Sequence, residues 1–279
     1  MSIIGPHGPM SPDELERVAT DARAFGDADA GAWAAESIEH AVELALAGDV
    51  RAIVTAPLHK PSLHAAGRRF PGQTEMLARL AGVRRVGMLM AAERTRLDGA
   101  LRVLLATTHL PLSAVAEAVT TTLLDEQIGL LDEALRKDWA MPAPRIVVCA
   151  LNPHASDGGL FGDEEARVFA PAVHSARARG IDVAGPLPAD TVFGRALAGA
   201  FDAVVAPYHD VGMAAFKTVA FGSGVNVTLG LPFVRTSPDH GTAFDIAGTG
   251  SADPASMLEA IRLASTLAQN RFDTPSLHV

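Results

Sequence analysis

Short apolar runs alternate along this chain with longer stretches in which apolar residues recur every three or four positions. The clearest runs are Arg51 to Ala56, Val86 to Ala91, Leu101 to Thr107, Arg145 to Leu151, Ala203 to Ala206 and Val225 to Gly230. Their length and β-branched content predict strands. Ser11-Pro12-Asp13-Glu14 carries the capping serine, first-turn proline and reciprocal glutamate of a helix start, which predicts a helix to about Ala24. From Trp33 to Ala47 the residues Ile38, Val42, Ala45 and Leu46 share one helical face, and Gly48 is placed to end that helix in a left-handed conformation. Further helices are expected over Ser113 to Arg136 and Pro254 to Gln269. Such alternation is the pattern of an α/β fold with a largely parallel sheet. No internal repeat, low-complexity segment or linker interrupts it.

Composition narrows the function. A chain of 279 residues with 48% hydrophobic and 20% charged content has enough apolar surface for one large domain or two smaller ones sharing a cleft. A net charge of -9 argues against sequence-independent binding to nucleic acid, which requires a surplus of Lys and Arg. Any phosphate bound here must meet a few local cations. The single cysteine, Cys149, lies in the apolar run Ile146 to Leu151 and excludes an intramolecular disulfide, which fits a reducing cytoplasm. The first residues lack a signal-peptide pattern, and no apolar run approaches the roughly 20 residues of a membrane span. A soluble cytoplasmic protein with no nucleic-acid or membrane partner is therefore expected.

The polar residues of interest stand at strand ends. His109 follows the Leu101 run, His154 follows the Arg145 run in Asn152-Pro153-His154, and His209 follows Ala203 to Ala206 in Tyr208-His209-Asp210. In open α/β sheets the ligand crevice lies beyond the carboxyl ends of strands, so three imidazoles delivered there suit a metal site able to polarise an oxygen. A histidine after a strand also serves as a plain hydrogen-bonding residue, and placement alone leaves both readings open.

The motifs around these residues resemble one family. Val54-Thr55-Ala56-Pro57-Leu58-His59-Lys60, Phe70-Pro71-Gly72-Gln73-Thr74-Glu75, Thr108-His109-Leu110-Pro111-Leu112 and Leu151-Asn152-Pro153-His154-Ala155 are similar to 4-hydroxythreonine-4-phosphate dehydrogenases. So are Gly185 to Thr191, Tyr208-His209-Asp210, Gly224 to Pro232 and Arg235 to Ala243, in the same order. The resemblance implies an isopropylmalate-dehydrogenase-like, two-domain α/β/α architecture with the active site in the interdomain cleft. Residues 1–72 and 206–279 would form the cofactor-side domain, and 73–205 the central metal, substrate and dimerisation domain.

It further implies that His109, His154 and His209 bind a divalent metal, zinc first and magnesium or cobalt as alternatives, with His209 contributed across a homodimer interface. The substrate contacts map onto Gln73, Thr74, Lys217, Asn226 and Arg235, with Lys217 and Asp190 as candidates for proton transfer. His240, Gly241, Ala243, Asp245 and Gly248 resemble an adenosine-binding loop, whose acidic residue favours NAD over NADP. The implied reaction is oxidation of the C3 hydroxyl of 4-phosphooxy-L-threonine followed by decarboxylation. Two features depart from the family pattern. Gln73 stands where a histidine is usual, which suits a related substrate such as threonate or erythronate phosphate. The family's opening strand and its Gly-Asp-Pro-x-Gly-Ile-Gly-Pro-Glu turn have no counterpart, which predicts an open sheet edge and brings in a second reading, a catalytically impaired metal-binding dimer.

Overall fold

The computed structural model describes residues 2–14, 17 and 26–273. Ten strands are present among them: β1 (Ile4–Gly5), β2 (Gly8–Pro9), β3 (Ala52–Val54), β4 (Gly87–Ala92), β5 (Leu101–Leu105), β6 (Ile146–Cys149), β7 (Val183–Leu187), β8 (Ala203–Ala206), β9 (Val225–Leu229) and β10 (Val234–Pro238). The first two form a small hairpin, and the others make one sheet in the order β3-β10-β9-β4-β5-β8-β6-β7. Each strand expected from the apolar runs is there. Two strands of the main sheet were not legible, nor was the β1–β2 hairpin: β7 contains Gly185 and Pro186, and β10 reads Val-Arg-Thr-Ser-Pro, too polar for an apolar run.

The sheet is mixed rather than largely parallel. β3 and β10, β5 and β8, β8 and β6, and β6 and β7 pair in parallel, whereas β9 runs against β10 and β4, and β4 against β5. The reason is connection length. Residues 93–100 link β4 to β5 and residues 230–233 link β9 to β10, both too short for the crossover that a parallel pair needs. The β9 to β4 pairing also keeps the sheet continuous between segment 73–205 and the two outer segments. Among the described residues β3 is hydrogen-bonded on one side only, to β10.

Nine α-helices cover this sheet within the described residues: α1 (Asp27–Ala47), α2 (Lys60–Ala65), α3 (Gln73–Leu80), α4 (Leu112–Ala118), α5 (Thr121–Lys137), α6 (Ala170–Ala178), α7 (Ala189–Leu197), α8 (His209–Ala220) and α9 (Ala255–Asp273). As expected, α1 ends at Gly48, whose φ of 83° lets its N–H reach back to Ala45 O. The single helix expected over Ser113 to Arg136 is two. Thr120 breaks it, leaving helical geometry and capping α5 by accepting a hydrogen bond from Leu123 N at 3.1 Å. Of the helix expected from Ser11 to Ala24, most lies outside the described residues, but the reciprocal Ser11 to Glu14 hydrogen bonds of its start are present.

Three apolar groups hold the layers together. On one face α4, α5, α6 and α9 pack on Leu89, Leu104, Val148, Val205, Val225 and Val227. On the other face α7 and α8 cover β5, β6 and β8 through Val192, Phe193 and Phe216. Separately, α1, α2 and α3 gather Ile53, Leu63, Met76, Leu77 and Phe233 around β3. Each fully buried Leu or Phe stabilises by about 1.5–3 kcal/mol. Two ion pairs pin neighbours within a layer. Arg271 grips Asp138 through Nε and Nη2 at 2.6 Å each, and Arg145 clamps Asp202 through Nε at 3.1 Å and Nη2 at 2.9 Å, fixing β6 beside β8. No helix among the described residues is long and apolar enough to cross a membrane.

Candidate active site

One face of β9 and β10 is polar, for a reason written in the two strands. Successive strand residues point to opposite faces. Val225, Val227, Leu229 and Val234 therefore join the core under α9, and Thr236 Oγ1 donates to Ala260 O of that helix at 2.8 Å. Asn226, Thr228, Arg235 and Ser237 face the other way, with Ser237 paired to Asn226 in the register. Arg235 thus lies opposite Thr228. Its Nη1 donates to Thr228 Oγ1 at 2.9 Å, and its Nη2 donates to Thr55 Oγ1 at 2.7 Å and to Gln73 Oε1.

This guanidinium is 2% exposed, yet it has only uncharged acceptors. Among the described residues no carboxylate pairs with it, its Nε has no partner, and burial pushes its pKa down to about 10. A buried cation without a counter-charge is costly, so such a group is suited to receive an anion. Asn226 Oδ1, on the same face, is also buried without a partner. Gln73 and Thr74 begin α3, whose N-cap Gly72 offers no side chain to the first-turn amides. Those donors and the positive end of the helix dipole lie beside Arg235 and add to the attraction for an anion.

The structure brings His109 and His209 together, with ring centroids 5.6 Å apart. Two imidazoles sharing a tetrahedral ion at about 2.0–2.1 Å per metal–nitrogen bond have centroids roughly 5–6 Å apart, so the pair fits a divalent metal. Burial lowers the His109 pKa, and the charges of Lys60 and His209 lower it further against the opposing pull of Glu75, favouring the neutral, ligating form. His209 Nδ1 lies 2.7 Å from Asp210 Oδ1, the carboxylate contact that orients a ligating imidazole and leaves Nε2 outward. His154 does not join them. It stands at φ 54° in a left-handed turn, its ring 6.4 Å from that of Phe161, and no group of three or more His, Cys, Asp or Glu able to hold a metal exists among the described residues of one chain.

The remaining expected residues have other surroundings. Lys217 Nζ donates to Asp239 O at 2.8 Å and forms an ion pair with its carboxylate. Burial raises the Asp239 pKa, and Lys217 opposes that rise. Asp190 is exposed in the first turn of α7. His240, Gly241, Ala243, Asp245 and Gly248 share one exposed loop between β10 and α9, bent by left-handed backbone at Ala243 (φ 46°) and Gly248 (φ 75°). Phe244 anchors that loop edge-on against His59, with centroids 4.9 Å apart.

Four residues of the site went unassigned in the sequence. Thr228 was available from period-two spacing with Asn226, but Thr55 and Lys60 reach the site only through the placement of β3 and α2. Glu165 is the fourth. It is buried and accepts from Leu151 N (2.9 Å), Asn152 N (2.7 Å) and Ser156 Oγ, pinning the turn that carries His154. Burial alone would raise its pKa, but the hydrogen bonds from Asn152 and Ser156 outweigh it and hold the carboxyl below its ordinary value.

Residues 11–264 match the family described as pyridoxal phosphate biosynthetic protein PdxA. The chain belongs to this family. As a PdxA-family member it is of the oxidoreductase type, and it is 50% identical over 238 residues to the 4-hydroxythreonine-4-phosphate dehydrogenase of Chromobacterium violaceum, covering 85% of this chain and 71% of that one. It is 48% identical to the D-threonate 4-phosphate dehydrogenase of Salmonella typhimurium, covering 86% and 72%. The crystal structure of 4-hydroxythreonine-4-phosphate dehydrogenase from Klebsiella pneumoniae superposes with a TM-score of 0.79 at 47% identity over 87% of this chain and 72% of that one. Isocitrate dehydrogenase from Methylococcus capsulatus, 13% identical over 95% of this chain and 73% of that one with a TM-score of 0.50, shares the fold of the PdxA-family chain.

Proposed function

We propose that this chain is an NAD-dependent, divalent-metal-dependent 4-hydroxythreonine-4-phosphate dehydrogenase. It oxidises C3 of 4-phosphooxy-L-threonine and releases carbon dioxide, giving 3-amino-2-oxopropyl phosphate. The observation that carries the reading is Arg235, a buried guanidinium without a carboxylate, on the same polar face as Asn226. Arg235 and the first turn of α3 receive the phosphate, and Asn226 Oδ1 accepts a substrate N–H or O–H. His109, His154 and His209 hold the metal in a homodimer that shares its site; because His109 and His209 already meet within one chain, the residue brought across is His154 rather than the His209 that the family resemblance implied. When bound, the metal polarises the substrate's oxygens and the nicotinamide accepts the hydride. Asp190, or Lys217 after passing its own proton to the Asp239 carboxylate, takes up the hydroxyl proton as C3 gives up its hydrogen as hydride. The C1–C2 bond then breaks, its electron pair moves to C2, and C2 gains a proton. The 240–248 loop takes the adenosine, with Asp245 accepting from ribose hydroxyls, in a cleft between segment 73–205 and the outer segments.

A second substrate has support from the relatives: D-threonate 4-phosphate, which carries a hydroxyl where the first carries an amine at C2. The deciding experiment follows NADH formation with each phosphorylated acid, with zinc and after chelation. Turnover of 4-phosphooxy-L-threonine that is lost on chelation and in His209→Ala is the expected result. A preference for D-threonate 4-phosphate would reassign the substrate, and no NADH from any phosphorylated hydroxy acid would overturn the activity.

A further inference from the structure

Gln73 spends its hydrogen-bonding capacity inside the protein. Its Oε1 accepts from Thr55 Oγ1 at 2.8 Å and from Arg235 Nη2, and its Nε2 donates to Ala56 O at 3.0 Å. One amide proton is left for a ligand. The side chain is therefore fixed between the end of β3 and the guanidinium, in a place where a glutamate of the same length would form a partly buried ion pair. Every acceptor around Arg235 shares this neutrality: two threonine hydroxyls and one amide oxygen.

We propose that Gln73 is a positioning residue that holds the Arg235 guanidinium in place while withholding a counter-charge, so that an oxyanion arriving beside the α3 N-terminus supplies the first negative charge Arg235 meets. The inference rests on the reading of Arg235 as an anion seat, and it assigns Gln73 a role through Arg235 rather than on the substrate. With the guanidinium 2% exposed, a carboxylate at half-buried position 73 would neutralise it and repel a phosphate, whereas a neutral apolar side chain would merely loosen the arginine.

Two substitutions separate charge from shape. Gln73→Glu keeps the acceptor and the length but adds the charge. Gln73→Met keeps the neutrality but loses the hydrogen bonds. Binding of inorganic phosphate to the full chain, measured by isothermal titration with circular dichroism to verify folding, is expected to weaken at least 100-fold in Gln73→Glu and less than tenfold in Gln73→Met. With substrate, Gln73→Glu is expected to raise KM far more than it lowers kcat. If the wild type binds phosphate and Gln73→Glu binds it as well as or better than Gln73→Met, Gln73 acts by shape and this inference falls while the anion seat stands. If the wild type does not bind phosphate, both fall. Should Gln73→Glu not fold, a loss beyond 100-fold in Gln73→Met still overturns the proposal.

Discussion

Replacing Arg235 with methionine tests whether the buried guanidinium exists for stability or for binding. At about 1.4 kcal/mol for each tenfold change in proton affinity, a guanidinium pushed by burial from the ordinary arginine value down to about 10 costs the ligand-free fold about 3 kcal/mol. The hydrogen bonds to Thr228, Thr55 and Gln73 offset this at about 1 kcal/mol each. Thr55 and Gln73 keep their mutual bond when the arginine is gone. Arg235→Met is therefore expected to change unfolding free energy by no more than about 1 kcal/mol. Activity should behave differently. Loss of two charge-assisted contacts to a phosphate lowers kcat/KM by about 100- to 1000-fold.

Urea unfolding of both proteins, together with steady-state kinetics, makes the comparison. The sign of the pH dependence follows from the direction of the shift. The folded pKa lies below the unfolded one, so the cost is fully present at neutral pH and is relieved as pH rises through about 10. Wild type should gain stability relative to Arg235→Met above that pH. A variant that loses more than about 3 kcal/mol at neutral pH yet keeps its kcat/KM would show the arginine to be a structural support and refute the reasoning.

Two further predictions address the scaffold. Burial opposes ionisation of Asp202, but the hydrogen bonds and charge of Arg145 outweigh it and hold the carboxyl below its ordinary value. Asp202→Asn should thus cost about 1–2 kcal/mol at neutral pH, with the difference fading as pH falls below the ordinary aspartate value of about 3.9; a gap that persists undiminished in acid unfolding curves would refute the pairing. A Cβ on Gly31 of α1 would stand 1.9 Å from Ser62 O in α2. Gly31→Ala, which in an open helix would stabilise by about 1 kcal/mol, should instead destabilise by about 3 kcal/mol, and a raised melting temperature would show that the helices are not so closely packed.

Local patterns determined what they physically encode. The apolar runs fixed six of the sheet strands because a buried strand needs little but its own side chains to announce it, and Gly48 marked the end of α1 because left-handed backbone favours glycine. The histidines were visible for their position after strands. Strand direction was not legible, since it depends on whether a connection is long enough to cross over, and neither was β10, whose polar residues look like a loop until β3 and β9 flank them. Only the tertiary structure decided which side chains share a site. It set Arg235 among Thr228, Thr55 and Gln73, residues 7, 180 and 162 positions away. It also put His109 beside His209 and left His154 apart in the same chain. A charge becomes a binding determinant when packing removes its water and supplies no counter-ion, and no local stretch of sequence carries that information.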